Sequence, residues 1–332
     1  MAPAAHRQPP TSLGNPSVAT SRDRFTAYRR SLPRPPRLTR ETVRVRGLDL
    51  AVFRTPEVPG TVPLLCVNGG LLFDHRLIWP ALSPLAARRQ LVLYDQRGRG
   101  ASQAPPGVRA ARIEHDAGDV PALRAALGLE AWDVLGHSWG GGIAMLAAAL
   151  DPAATRRLVL VDLVGARSEG WLDELHDRAL LRLDEPRRAL LDAASDAIAE
   201  AASAVAADDP AHLSAYAAAL YPAWFADRDL ATLFTPPRST SRTGAAVSAR
   251  LRREGYDWRD RLRGLPVPTL VIHGEEDLVP VETARETVAL LGNATLELLP
   301  GAGHLPFWEA PEPFFALVER FLGAPSSAAD RW

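Results

Sequence analysis

Residues 131–150 read AWDVLGHSWGGGIAMLAAAL. The apolar run at 131–135 does not alternate, which suits a strand buried on both faces, and residues 140–150 are helix-like in composition and length. Between them, Gly136-His137-Ser138-Trp139-Gly140 leaves no room for a loop, so strand must turn directly into helix. Such a turn holds its middle residue in a strained conformation with the side chain exposed. Glycine is needed on either side because a β-carbon there would clash. The G-x-S-x-G pattern is weak by itself. Its place between a strand and a helix is what gives it weight.

Outward from this segment the same rhythm continues. Short, mostly unalternating Val- and Leu-rich runs occur at 63–67, 90–94, 132–135, 157–161, 268–272 and 294–299. Helical stretches lie among them at 113–127, 140–150, 281–291 and 311–321. Repetition of strand and helix predicts an α/β fold with a mostly parallel central sheet flanked by helices. An alternating hairpin around Gly47, over 42–46 and 48–53, precedes it. Residues 1–40 read as a Pro-rich arm, with a short helix available over 21–30. Between Asp162 and about Arg263 the rhythm breaks into Ala-, Asp- and Arg-rich helical sequence with clustered aromatics. Roughly 100 residues is far longer than an ordinary crossover. The expected organisation is therefore an arm over 1–40, a core over 41–162 and 264–325, and an inserted helical cap over 163–263.

Composition removes several classes of function. The formal net charge is −1, so no global field favours nucleic acid or an anionic membrane. One cysteine, Cys66, excludes a disulfide framework and a thiolate metal cluster. All 38 basic residues are arginine, which excludes lysine Schiff-base chemistry and lysine-anchored pyridoxal phosphate. No apolar run approaches membrane-spanning length, and residues 1–20 lack the basic and apolar regions of a signal peptide. The expectation is a soluble cytoplasmic protein whose partner is a small molecule.

A serine hydroxyl attacks carbon only when a base takes its proton. Among eight histidines, His304 lies in the flexible loop Gly301-Ala302-Gly303-His304-Leu305-Pro306, after the last strand and before the last helix. His137 sits in the elbow itself, and His273 ends a buried strand. The acid that orients the base should follow a strand. Asp277, in Gly274-Glu275-Glu276-Asp277, is the first candidate, and Asp162, after the strand at 157–161, is the second. Two backbone N–H groups must face the developing oxyanion. Trp139 supplies one, and Gly70 in Asn68-Gly69-Gly70-Leu71-Leu72 supplies the other. No cofactor or metal is expected.

Taken together these residues resemble the α/β-hydrolase superfamily over about 42–323, including its D-x-R-G-x-G-x-S turn at Asp95–Ser102. The superfamily's chain order of Ser, acid, His is met by Ser138, Asp277 and His304. The double glycine at 69 and 70, the loop Phe73-Asp74-His75 and the G-x-S-W-G-G elbow resemble the proline iminopeptidase branch. That branch's H-G-G-P-G loop stands here as N-G-G-L-L, with a more apolar entrance. The resemblance implies a serine hydrolase acting on an ester, lactone or amide of a small hydrophobic substrate. Leu71, His75, Trp224 and Phe225 are the candidate substrate-binding residues. Aminopeptidases, acyltransferases, cyclases and lyases share this fold, as do some non-catalytic binding proteins, and they remain alternatives.

Overall fold

The computed structural model describes residues 20–203 and 209–323. A first helix, α1 (Ser21–Ser31), is followed by strands β1 (Thr39–Val45), β2 (Leu48–Arg54), β3 (Leu64–Val67) and β4 (Leu91–Tyr94). Then come α2 (Ile113–Ala126), β5 (Trp132–His137), α3 (Trp139–Leu150) and β6 (Thr155–Val161). The excursion after β6 carries α4 (Leu175–Arg182), α5 (Glu185–Ser203), α6 (Pro210–Leu220), α7 (Arg242–Glu254) and α8 (Arg259–Leu262). The chain returns through β7 (Thr269–Gly274), α9 (Val281–Leu290), β8 (Ala294–Leu299), α10 (Pro306–Glu309) and α11 (Pro311–Gly323).

These strands form one eight-stranded sheet in the order β1-β2-β4-β3-β5-β6-β7-β8. β1 and β2 are antiparallel to their neighbours, and β4 through to β8 pair in parallel. The unalternating runs have a direct cause. In β6, Leu158 and Leu160 enter one core, while Val159 and Val161 enter another on the opposite face. Leu65 and Val67 of β3 share the first core, and Leu64 and Cys66 the second. With helices α2 and α3 on one face and α11 on the other, every residue of β3, β4, β5 and β7 and all but Arg156 of β6 are buried, and polarity has no period to follow. The edge strand β8 is only partly buried.

The excursion between β6 and β7 contains helices and 3-10 turns, and one isolated antiparallel bridge within it pairs Arg167 with Asp257. It has a small core of its own, formed by Ala179, Leu183, Leu191, Leu220 and Ala223, into which Leu278 from the sheet side also packs. Of the expected arm, residues 1–19 lie outside the described residues. Its remainder is docked: Thr20 closes a capping box on α1, and the Phe25 ring packs 5.0 Å from Phe234 and 5.6 Å from Trp308. Among the described residues no helix is long and apolar enough to cross a membrane.

Candidate active site

Three parallel strands end side by side, and each delivers one piece of the site. β5 ends in the elbow, where Ser138 adopts φ 56° and ψ −124°. The flanking glycines make that turn possible. A Cβ on Gly136 would lie 2.3 Å from the Gly140 carbonyl oxygen, and one on Gly140 would lie 2.2 Å from that of Val67. The strained residue is held by its own backbone. Its N–H donates to the Val161 carbonyl at 2.9 Å, and its carbonyl accepts from Gly141 N–H at 2.8 Å.

The next strand, β6, is followed at once by Asp162, and β7 leads through a tight turn to Asp277. His304 arrives from the loop after β8. Its Nδ1 lies 2.9 Å and 3.0 Å from the two Asp277 carboxylate oxygens. The Asp277 side chain is buried, and its Oδ1 also accepts from Val279 N–H at 3.1 Å. Burial pushes the Asp277 carboxyl up, but the charge and hydrogen bond of His304, with His273 and the Val279 amide, outweigh it and hold the pKa below 3.8. An ionised Asp277 fixes the proton on His304 Nδ1 and leaves Nε2 free to act as a base.

Close packing also brings the 68–71 loop against the elbow. A Cβ on Gly69 would lie 2.7 Å from the Ser138 Cβ and 3.2 Å from the Trp139 nitrogen. The loop is braced from behind, where Arg99, fully buried and doubly paired with Asp116, donates from Nε to the Leu71 carbonyl at 2.7 Å. Leu71 itself sits at φ 52°, a left-handed conformation costing a branched residue roughly 1–3 kcal/mol. Asn68 Nδ2 donates to the carbonyls of Gly69 and Phe73, both at 3.1 Å, and so closes the loop on itself.

Ser138, His304, Gly70 and Trp139 all border one cavity of about 410 Å³. Its walls are chiefly apolar, with Leu71, Phe73, Trp171, Ile198, Leu213 and Trp224 among them. Asp173 and Arg252, both solvent-exposed, also border it. Among the described lining residues Asp173 is the only carboxylate.

A sequence-profile model for the alpha/beta hydrolase fold matches residues 62–311. The chain belongs to the α/β-hydrolase family. It is 28% identical over 286 residues to a proline iminopeptidase of Lactobacillus delbrueckii subsp. lactis, covering 80% of this chain and 92% of the relative. It is 30% identical over 279 residues to a 2-hydroxymuconate semialdehyde hydrolase of Pseudomonas sp. (strain CF600), covering 80% and 89%. The crystal structure of proline iminopeptidase from Mycobacterium smegmatis superposes with a TM-score of 0.63 at 24% identity, over 86% of this chain and 98% of the other.

Two expected substrate-binding residues of this α/β-hydrolase lie elsewhere. His75 is turned away from the cavity: its Nδ1 pairs with Asp95 Oδ1 at 2.7 Å and its ring stacks 3.8 Å from Phe53. Phe225 is fully buried in the core between Tyr221 and Phe234, because the chain leaves its 3-10 turn at that residue and successive side chains diverge. Leu71 and Trp224 do line the cavity, and the Trp224 ring lies 4.2 Å from that of His304. Two groups of carboxylates and histidine come together, Asp74–His75–Asp95 and Asp162–His273–Asp277. Asp95 and Asp74 are occupied by His75, Ala101 and Arg76, and Asp277 by His304.

Glu309 was not legible as a site residue. The one available signal was a lone acid in the apolar stretch 305–310. Its half-buried carboxylate accepts from Ala226 N–H at 2.7 Å, Gly303 N–H at 3.0 Å and Leu305 N–H at 3.4 Å. One side chain thus fastens both residues flanking His304 to the segment carrying Trp224. Burial raises its pKa to about 7, against the pull of those three amides. Glu309→Gln turns one acceptor oxygen into an amide NH2 donor facing N–H donors. It is expected to lower stability by about 1–3 kcal/mol, read from the urea midpoint, and to lower kcat with it. An unchanged midpoint and kcat would remove Glu309 from this role.

Proposed function

We propose that the chain is a serine hydrolase that cleaves an ester, lactone or amide of a small apolar substrate through an acyl-enzyme on Ser138. The observation that carries this reading is the buried, doubly bonded His304–Asp277 pair bordering the same apolar cavity as a strained elbow serine. His304 Nε2 takes the Ser138 proton as the hydroxyl attacks the carbonyl carbon. The backbone N–H groups of Gly70 and Trp139 hold the oxyanion, and Asp277 steadies the imidazolium. His304 then gives its proton to the leaving group. It activates water in the second half of the cycle, which returns Ser138 to its free form.

Likeness to proline iminopeptidases favours a second reading, an aminopeptidase. The lining argues against it. A substrate ammonium beside the scissile bond would enter an apolar cavity whose one carboxylate among the described residues, Asp173, is exposed to solvent. Burying a charge without a partner costs several kcal/mol. Wild-type protein is expected to react with a fluorophosphonate probe and to hydrolyse p-nitrophenyl esters of medium-length apolar acids. Proline p-nitroanilide is expected to survive. Hydrolysis of the anilide at a rate comparable to the esters would replace this reading with the aminopeptidase one. Failure of folded protein to react with probe and esters alike would reject both.

A further inference from the structure

The Asp277 carboxylate has a second carboxyl group beside it that the proposed reaction does not use. Asp162 is 0% exposed and directly follows β6, the strand next to the one that leads to Asp277. It is held at φ 44°, so its place is kept at a cost in backbone strain. Its Oδ1 accepts from Gly274 N–H at 2.8 Å. Its Oδ2 is buried and has no hydrogen-bond partner if both carboxyl groups are read as ionised. Ligand atoms of Asp162, His273 and Asp277 lie within 4.8 Å of one another.

Two carboxylates this close in a dry interior do not both ionise, because each would face the other's charge without water between them. One proton must be shared, and hydrogen-bond partners decide who holds it. Asp277 accepts from His304 Nδ1–H and Val279 N–H, which favour its charged form. Asp162 has a single backbone donor. His273 is placed to stay neutral. Its Nε2–H donates to the Val279 carbonyl at 3.0 Å, and its bare Nδ1 stands 3.7 Å from Asp162 Oδ1, too far for a hydrogen bond.

We propose that Asp162 is a neutral carboxylic acid whose Oδ2–H is donated to Asp277, and that it acts as a positioning residue for the carboxylate that orients His304. One proton on Oδ2 satisfies the otherwise unpartnered atom and removes the repulsion, and no atom is gained or lost in the cycle. The side-chain interaction with Asp277 and burial both act to keep Asp162 protonated well above pH 3.8. The charged or titratable groups facing this pair from neighbouring elements are His304, His137, His273, Glu309 and Arg182. The role at His304 rests on the serine-hydrolase reading, but the protonation of Asp162 does not.

Stability supplies the independent readout. The folded chain keeps a proton on Asp162 at pH values where the unfolded chain has released it. Wild-type stability therefore loses ground as pH rises from about 4 through the neutral range, with a slope of one proton from this group. Asp162→Asn has no such proton, keeps an acceptor for Gly274 N–H and keeps a donor for Asp277. Its stability relative to wild type is expected to rise steadily with pH across that range. A constant difference would overturn the proposal, whatever the activity of the enzyme. Nitrogen-15 spectra are expected to show His273 as the neutral Nε2–H tautomer from pH 5 to 8. An imidazolium there would move the proton off Asp162 and overturn the assignment.

Ester turnover then tests the positioning role. Asp162→Asn is expected to keep kcat within about threefold of wild type, with the acidic limb of the rate profile unmoved. Asp162→Ala removes the donor and leaves the Asp277 carboxylate more basic. Its kcat is expected to fall about 10- to 100-fold, with the acidic limb shifted to higher pH. An Ala variant with lowered kcat but an unmoved limb would reduce Asp162 to a structural group. Loss of activity in the Asn variant equal to that in the Ala variant would show that the carboxylate form is the one required.

Discussion

Ser138→Ala is expected to abolish fluorophosphonate labelling and to lower kcat for esters by about four to six orders of magnitude, with little loss of stability. The two halves of this result have different causes. Without Oγ there is no atom to form the acyl bond, and His304, Asp277 and the two backbone donors are left to assist direct attack by water. What remains is the modest catalysis of an oxyanion site and a binding cavity. The fold does not depend on the hydroxyl. Ser138 makes no side-chain capping bond to α3, and its structural bonds, to Val161 and Gly141, use main-chain atoms. Alanine meets the same φ of 56° with a β-carbon of the same kind, so the strain is unchanged. The checks are mass-spectrometric detection of the labelled residue, steady-state kinetics and a thermal melt. Turnover retained within tenfold, or a label that persists on another side chain, would remove Ser138 as the nucleophile.

Much of this architecture is legible in the sequence because inner strands and their connections obey strong, local rules. Residues 132–135 and 157–161 carry no alternation, and the structure supplies the reason in a core on each face of the sheet. The elbow glycines are legible because no other residue fits within 2.3 Å of a carbonyl oxygen. Orientation inside the helical excursion follows no such rule. Trp224 and Phe225 are adjacent and both aromatic, yet one overlies His304 and the other fills a core, since a 3-10 turn ends between them. His75 lies on the expected entrance loop, but Asp95 and Phe53 claim its ring. Glu309 acts through three backbone amides that belong to distant segments, and no pattern in residue type announces such a contact. The two candidate acids stand between these cases. Parallel pairing of β6 with β7 carries both to the same end of the sheet, so the sequence reading finds both acids and puts Asp277 ahead of Asp162, but strand order carries no information on their bonding. The structure adds a physical ground for that order, since Asp277 receives donors from His304 and Val279 and Asp162 only one, from Gly274.

That ranking makes the second large effect specific. Asp277→Asn is expected to lower kcat by about four orders of magnitude near neutral pH while leaving ester KM within a few-fold. The change is nearly isosteric and removes one charge. An asparagine that turns its amide nitrogen toward His304 donates to Nδ1 and selects the tautomer with hydrogen on Nε2, which has no lone pair for the Ser138 proton. One that turns its oxygen there keeps the tautomer but gives the imidazolium no counter-charge in a buried site. Either outcome defeats the base. The defect is expected to lessen at high pH, where more hydroxide is present to replace the missing proton acceptor. Asp162→Asn, an identical exchange one strand away, is expected to be close to silent because the amide reproduces a neutral acid. A thousandfold or greater separation between the two variants follows from their bonding alone, since both carboxyl groups are buried at the ends of neighbouring strands. Comparable losses in both would mean that the charge is shared between the carboxyl groups. The reverse order would make Asp162 the acid that serves His304.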